Sequence, residues 1–259
     1  MKRRSFLKKS FVAAGAASVA IPAMAEQAHD ILYKSIFELR VYHMAFGGNR
    51  NILEQYLKEA LIPLASRYSV KVGVFTEYSL EDPAKIYALF AYPSPEVYVN
   101  LAEAMLTNQT YINASKSYTD QPATTPIYSR FETFLLEPFD KFPGLVQPSE
   151  KKGLYELRVY ESATEGAGTM KIAMFNKEEI DLFLKVGLQP VFFGRIMAGP
   201  LMPALIYMLG FKDMNERDAL WGKFGAHEDW KVMSAKPEYA NTVSNIHKIF
   251  LIPTEYSQI

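Results

Sequence analysis

The chain writes the five residues Glu-Leu-Arg-Val-Tyr twice, at Glu38–Tyr42 inside "FELRVYHM" and at Glu156–Tyr160 inside "YELRVYES". The copies stand 118 positions apart in a chain of 259 residues. Strand alternation gives each copy two faces, one apolar (Phe37, Leu39 and Val41; Leu157 and Val159) and one of Glu, Arg and Tyr. Such a repeat constrains the fold more than composition does, because whatever surrounds one copy should have a counterpart around the other.

The surroundings do repeat. After the first copy, Gly47-Gly48 break the chain and Asn49 can cap a helix. Ile52, Leu53, Tyr56, Leu57, Ala60, Leu61 and Leu64 then recur at helical spacing, with an end predicted near Pro63. Strands "VKVGVFTEYS" and "KIYALFAY", joined by a turn at "EDP", lead to a helix in "SPEVYVNLAEAML" and a strand in "IYSRFETFLLEP". After the second copy, Asn176 and Glu179 read as a capping box opening a helix with Ile180, Phe183, Leu184 and Leu188 on one face. Strands "VFFGRIMA" and "ALIYMLGF" follow, the latter aligned with "KIYALFAY" through Tyr207 and Tyr87. A helix capped by Asp213 and Glu216 carries Leu220, Trp221 and Phe224, and "NIHKIFLIP" closes the second half. Each half therefore reads β-α-β-β-α-β, the ferredoxin-like order. The predicted fold class is α+β: two tandem ferredoxin-like repeats, residues 36–138 and 154–259, joined by a linker, 139–153, and pairing within the chain as a barrel.

A sheet of this kind buries one face beneath its helices, and the apolar face is expected there. The rows Glu38-Arg40-Tyr42 and Glu156-Arg158-Tyr160 would then face each other across a partly polar barrel interior. Arg40 and Arg158 suit a carboxylate or enolate, and Tyr42, Tyr160, Tyr87 or Tyr207 could stack or donate hydrogen bonds. A desolvated Glu38 or Glu156 could act as a general base. The competing reading is that each Glu pairs with the Arg two residues on and only makes the interior satisfiable.

The four histidines are His29, His43, His227 and His247, with no H-x-x-x-H spacing to support a preformed metal triad. His227 reads as a helix start, and His43 as a residue of the barrel mouth. His247 stands where the first half has Glu132; its weighed roles are a structural histidine, a catalytic group or a haem ligand. Glu161–Phe175, with Gly166, Gly168, Met170 and Met174, reads as a flap over the mouth or as a packed surface excursion.

Residues 1–25 read as an export signal: "RRSFLKK" has the twin-arginine pattern, Phe11–Ile21 is weakly apolar, and Ala23-Met24-Ala25 offers a cleavage site. That apolar stretch is shorter than the roughly 20 residues needed to span a bilayer, so no permanent span is expected. Cleavage would remove five of the 28 basic residues, leaving 23 against 28 acidic ones and a net charge of −5. That balance disfavours nucleic acid, and the lack of cysteine excludes disulfides and thiolate chemistry. The expectation is an exported protein, periplasmic or extracellular, with a small-molecule partner and a homo-oligomer left open.

The doubled "ELRVY", the stretch "YMLGFKDMNERDALWGKF" and the ending "SNIHKIFLIPTEYSQ" resemble the NIPSNAP family, over essentially all of the chain after the signal. The resemblance implies the dimeric α+β barrel superfamily and an exported bacterial member with two copies per chain. Three positions depart from the family pattern: Arg195 follows "FFG" in place of an acid, His227-Glu228 replaces Asp-Pro, and His247 replaces a small polar residue. The leading functional expectation is binding of a small anionic or aromatic molecule by Glu38, Arg40, Tyr42, Tyr87, Glu156, Arg158, Tyr160, Arg195, Tyr207 and His247, with no cofactor tightly implied. The superfamily implies an alternative, a cofactor-free or haem-dependent oxygenase or isomerase. The family's vesicle- and mitochondria-associated members imply a third, a partner-docking module.

Overall fold

The structure, a computed structural model, describes residues 35–79, 83–148 and 150–259. The export signal, His29 and the turn at Glu81-Asp82 lie outside the described residues. The first half supplies strands β1 (Ile36–Met44), β2 (Lys71–Glu77), β3 (Lys85–Tyr92) and β4 (Tyr128–Pro138). The second half supplies β5 (Leu154–Glu161), β6 (Gln189–Ala198), β7 (Ala204–Phe211) and β8 (Asn245–Pro253). They close into one barrel in the order β1-β3-β2-β8-β5-β7-β6-β4, with every neighbouring pair antiparallel. The halves join twice, β2 to β8 and β4 to β6, each time the second strand of one half against the fourth of the other. At the second seam, a Cβ added to Gly194 would lie 2.8 Å from Leu136 Cβ, so only glycine allows this approach.

Closing the sheet decides which face is which. Phe37, Leu39, Val41, Leu157 and Val159 pack with Phe75, Leu136, Phe192 and Met208 as a single apolar filling of the barrel. The Glu-Arg-Tyr rows point outward, beneath the helices: Tyr42 packs with the first half's helices and Tyr160 with the second's. The expected orientation is thus inverted, and no shared polar interior exists between Arg40 and Arg158. The reason is physical. The middle of a closed barrel filled with large apolar side chains leaves a charge without water. The outer face instead lies beside helices whose open edge meets water and which, in the second half, supply Arg217 and Trp221 as partners.

The helix layer follows the same plan in both halves. In the first, α1 (Arg50–Gln55), a wider π turn (Tyr56–Leu61) and α2 (Ile62–Arg67) form one continuous helix running through Pro63. In the second, α5 (Glu165–Met174), a π turn (Phe175–Glu179) and α6 (Ile180–Val186) do the same. The helix opens at Thr164, whose hydroxyl accepts from the Ala167 N–H, and not at Asn176. The segment expected as a flap is therefore mostly helix α5. Gly187, at φ 93°, ends α6 in the left-handed conformation that glycine supplies.

Each half also carries a helix pair: α3 (Pro95–Thr107) with α4 (Gln109–Thr119), and α7 (Met214–Ala226) with α8 (Glu228–Ser234). The sequence reading expected one helix in the first half and missed α4, but it did place a helix start at His227, where α8 begins. Asn108 and His227 serve as the hinges, each ending one helix and capping the next; His227 Nδ1 accepts from the Asp229 N–H at 3.1 Å.

Candidate functional site

The first Glu-Arg-Tyr row lies in a packed layer. Glu38 accepts from Arg40 Nε at 2.6 Å and from the Tyr92 hydroxyl at 2.7 Å, while the Arg40 guanidinium lies over the Phe90 ring. Around Tyr42 the space is filled with rings. Tyr56 stacks on Tyr118 at 3.8 Å and shares a hydroxyl hydrogen bond with Tyr111, and Tyr118 does so with Tyr128. Leu53 and Leu61, both fully buried, complete the helix face.

The second row holds more charge. Glu156, with no exposed surface, accepts from Arg158 Nε at 2.7 Å, from Arg217 Nε at 2.9 Å and from the Trp221 indole at 2.7 Å. Burial opposes its charge, but the Arg217 hydrogen bonds and the neighbouring Arg158 charge outweigh it and hold the carboxyl below its ordinary range. The Arg158 guanidinium lies 3.8 Å over the Trp221 ring, and its Nη1 donates to the Tyr160 hydroxyl, itself bonded to that of Tyr207. Burial pushes both phenols up.

Beside this row lies a cavity of about 540 Å³. Arg158 and Tyr160 line it from the sheet, Lys171, Met174 and Glu179 from the long helix, and Trp221, Phe224 and Trp230 from α7 and α8. Lys171 Nζ donates to Glu179 Oε2 at 2.7 Å and sits 4.6 Å over the Phe175 ring. Both members of the pair are buried, Lys171 at 5% exposure and Glu179 at 2%. Burial pushes the Glu179 carboxyl above its ordinary value, with Lys171 offsetting only part of that. In the first half the counterparts of Lys171 and Glu179, each 118 positions earlier, are Leu53 and Leu61.

The structure thus brings Glu156, Arg158, Tyr160 and Tyr207 into one network and Glu38, Arg40 and Tyr42 into another. Tyr87 belongs to neither, because it points into the barrel, where its hydroxyl donates to Glu77. The strand register pairs Arg158 with Tyr207 but Arg40 with Ala88, so the alignment of Tyr87 with Tyr207 was one residue out, and a one-residue slip reverses the face. Arg195 is exposed on the outside, paired with Glu137 across the β4–β6 seam.

His247 does occupy the counterpart position of Glu132, facing inward at the rim. Its Nε2 is engaged by Glu161 and Asn245, so the residues there do not fit an axial haem ligand. Across the ring, His43 lies 3.4 Å from Glu132. Antiparallel neighbours around the barrel make β1 and β5 run the same way, so both His–Glu pairs stand at one mouth with their roles exchanged. Among the described residues no cluster of three metal-ligating side chains occurs, and no helix is long and apolar enough to cross a membrane.

Sequence reasoning missed Lys171, Glu179, Arg217 and Trp230 as site residues. The signal for the first two was available. Carried down the helix, the offset of the repeated strand sets a lysine and a glutamate against two leucines on a buried face. Placing the helix start at Asn176 hid it.

No curated protein matches the sequence. Among solved structures, a candidate monooxygenase from Lactobacillus acidophilus superposes with TM-score 0.57 at 9% identity, covering 85% of this chain and 94% of that one. A second candidate monooxygenase, from Fusobacterium nucleatum, gives 0.55 at 8% identity over 85% and 93%. Both share the fold. A NIPSNAP-like domain protein from Burkholderia xenovorans is 19% identical over 42% of this chain and 90% of its own, with TM-score 0.38. Residues 155–258, less than half of the chain, match the NIPSNAP family model, so the second half is similar to a NIPSNAP domain.

Proposed function

We propose that the second half binds a small, anionic, aromatic molecule in the cavity between its sheet and its helices. One observation carries this reading: Lys171 and Glu179 are buried beside a cavity, at positions where the first half packs two leucines. Burying an ion pair where apolar residues fit is a cost to stability that a ligand-binding role accounts for. Of the charged groups lining the cavity, Arg158 and Lys171 outnumber Glu179, which favours an anion, and Trp221, Phe224, Trp230 and Tyr160 offer ring faces.

The chain's two tryptophans, Trp221 and Trp230, both line the cavity, so selectively excited tryptophan fluorescence reports on it. Titration with benzoate, salicylate, indole-3-acetate and phenylpyruvate should give saturable quenching by at least one, weakened at least ~10-fold in Arg158→Ala. Unchanged fluorescence across the panel would sink this reading. We propose in addition that residues 1–25, read as an export signal, carry this binding outside the cytoplasm, which fractionation of cells expressing the full chain checks. A reaction is the second reading, favoured by the raised Glu179 carboxyl; likeness to candidate monooxygenases supports the barrel and not a chemistry.

A further inference from the structure

The Lys171–Glu179 pair and the Arg158 network each leave one polar atom unused at the cavity. Glu179 Oε2 takes the Lys171 hydrogen bond, and among the described residues none reaches Oε1. Arg158 Nε and Nη1 donate to Glu156 and Tyr160, and among the described residues Nη2 donates to nothing. Both side chains are more than nine-tenths buried, and both line the same cavity. Neither atom is among the fully buried unpartnered ones, so both reach the solvent that a bound molecule would displace. An unused acceptor and an unused donor in one aromatic-walled space define what a bound molecule must offer: a hydrogen to give up and an oxygen to be held.

Resting on the ligand reading above, we propose that this site abstracts a proton from the carbon next to the carbonyl of an aromatic keto acid, with Glu179 as base and Arg158 holding the enolate oxygen. The C–H bond breaks and its proton forms an O–H bond at Glu179 Oε1. The electron pair left on carbon becomes the C=C bond, while the carbonyl π pair moves onto the oxygen that Arg158 Nη2 holds. Return of a proton to the same carbon completes the cycle, and no oxidant or reductant is needed. Glu179 exchanges its proton with water through the open side of the cavity, so deuterium from solvent enters the substrate. Lys171 is a positioning residue: by occupying Oε2 it turns Oε1 to the cavity. Burial raises the Glu179 carboxyl above its ordinary value, which makes its ionised form a stronger base. The first half, with Leu61 at that place, has no counterpart base.

The test uses phenylpyruvate and 4-hydroxyphenylpyruvate in D2O, with tryptophan quenching for occupancy and proton NMR for exchange at the methylene carbon. The expected result is saturable quenching with exchange accelerated on the order of 100-fold or more over buffer. Glu179→Gln should abolish the acceleration and keep the quenching, and Lys171→Met should shift the pH profile of exchange. The pair Lys171→Leu with Glu179→Leu, which copies the first half's packing, gives a second variant that lacks the base. Quenching with exchange at the buffer rate, or acceleration that survives loss of Glu179, overturns the proton transfer and leaves the ligand reading intact. Quenching by the simple carboxylates but not by the keto acids overturns the substrate class, and with it this inference. Quenching by neither group overturns the ligand reading itself.

Discussion

The two halves use one strand motif and one helix plan, yet they spend their buried positions differently. In the first half the helix presents Leu53 and Leu61 to a layer of interlocked tyrosines, and Glu38 is satisfied by Arg40 and Tyr92. In the second half Lys171 and Glu179 occupy those helix positions, and Glu156 gathers Arg158, Arg217 and Trp221 beside a cavity. Helix α8 ends at Ser234, whereas α4 runs on to Thr119 and brings Tyr118 over Tyr56. The first half shows what this architecture needs in order to pack. The additional charge in the second half is what it does not need, and there function is to be sought.

The largest expected effect tests the Glu-Arg rows. Glu156→Ala strands two arginines and an indole, and removal of one partner from a buried network costs about 3–5 kcal/mol. Glu38→Ala strands only Arg40, which is 15% exposed, and one tyrosine hydroxyl, so its cost should be smaller. Urea midpoints of the two variants measure the difference. Equal losses would break the comparison at its root, because the second network would then be no more dependent on its carboxylate than the first.

Much of the architecture was legible because alternation and helical spacing are local signals: the strand order of each half followed from them. The sidedness was not. "ELRVY" has two clear faces, but nothing within five residues says whether the apolar one meets helices or a second sheet; ring closure through β2–β8 and β4–β6 decides that. Nor did the Glu156 network show in the sequence, since Arg217 and Trp221 reach it across 61 and 65 positions. Tyr87 and Tyr207 looked equivalent by spelling and were not, because equivalence in a sheet is set by register.

A smaller effect, of opposite sign, comes from making the second half copy the first. Lys171→Leu together with Glu179→Leu replaces a buried ion pair by the apolar pair that the first half tolerates, and such replacements are neutral or stabilising by about 1–4 kcal/mol. The advantage should depend on pH. A carboxyl whose folded pKa lies above its unfolded value contributes most at low pH and loses that contribution as pH rises through the folded value. Glu179 is of this kind. The double variant should therefore gain on the parent chain as pH climbs above the ordinary carboxylate range of about 4.3. Glu156, held low, acts in the other direction: its contribution is present at neutral pH and is lost as pH falls through its folded pKa, in both proteins alike. Denaturation curves at several pH values separate the two. A double variant that is less stable at every pH would mean the pair is structural, and the contrast between the halves would lose its functional meaning.

The smallest effect sharpens the comparison at the barrel mouth, where the halves exchange roles instead of departing from each other. His43 beside Glu132 and His247 with Glu161 are the same residue types in opposite order on counterpart strands. His247 Nε2 is hydrogen-bonded to Glu161, while His43 Nε2, 3.4 Å from Glu132, makes no hydrogen bond among the described residues. His247 is 38% exposed and Glu161 26%, so solvent and salt screen them, and an exposed ion pair contributes at most about 1 kcal/mol. A double-mutant cycle on His247→Ala and Glu161→Ala should give a coupling within that limit, shrinking as salt is raised. The cycle on His43 and Glu132, which are 18% and 31% exposed, should give a value of similar size. A coupling several times larger at His247 alone would show that the rim, too, has been specialised in the second half, and would move the search for function from the helix layer toward the mouth.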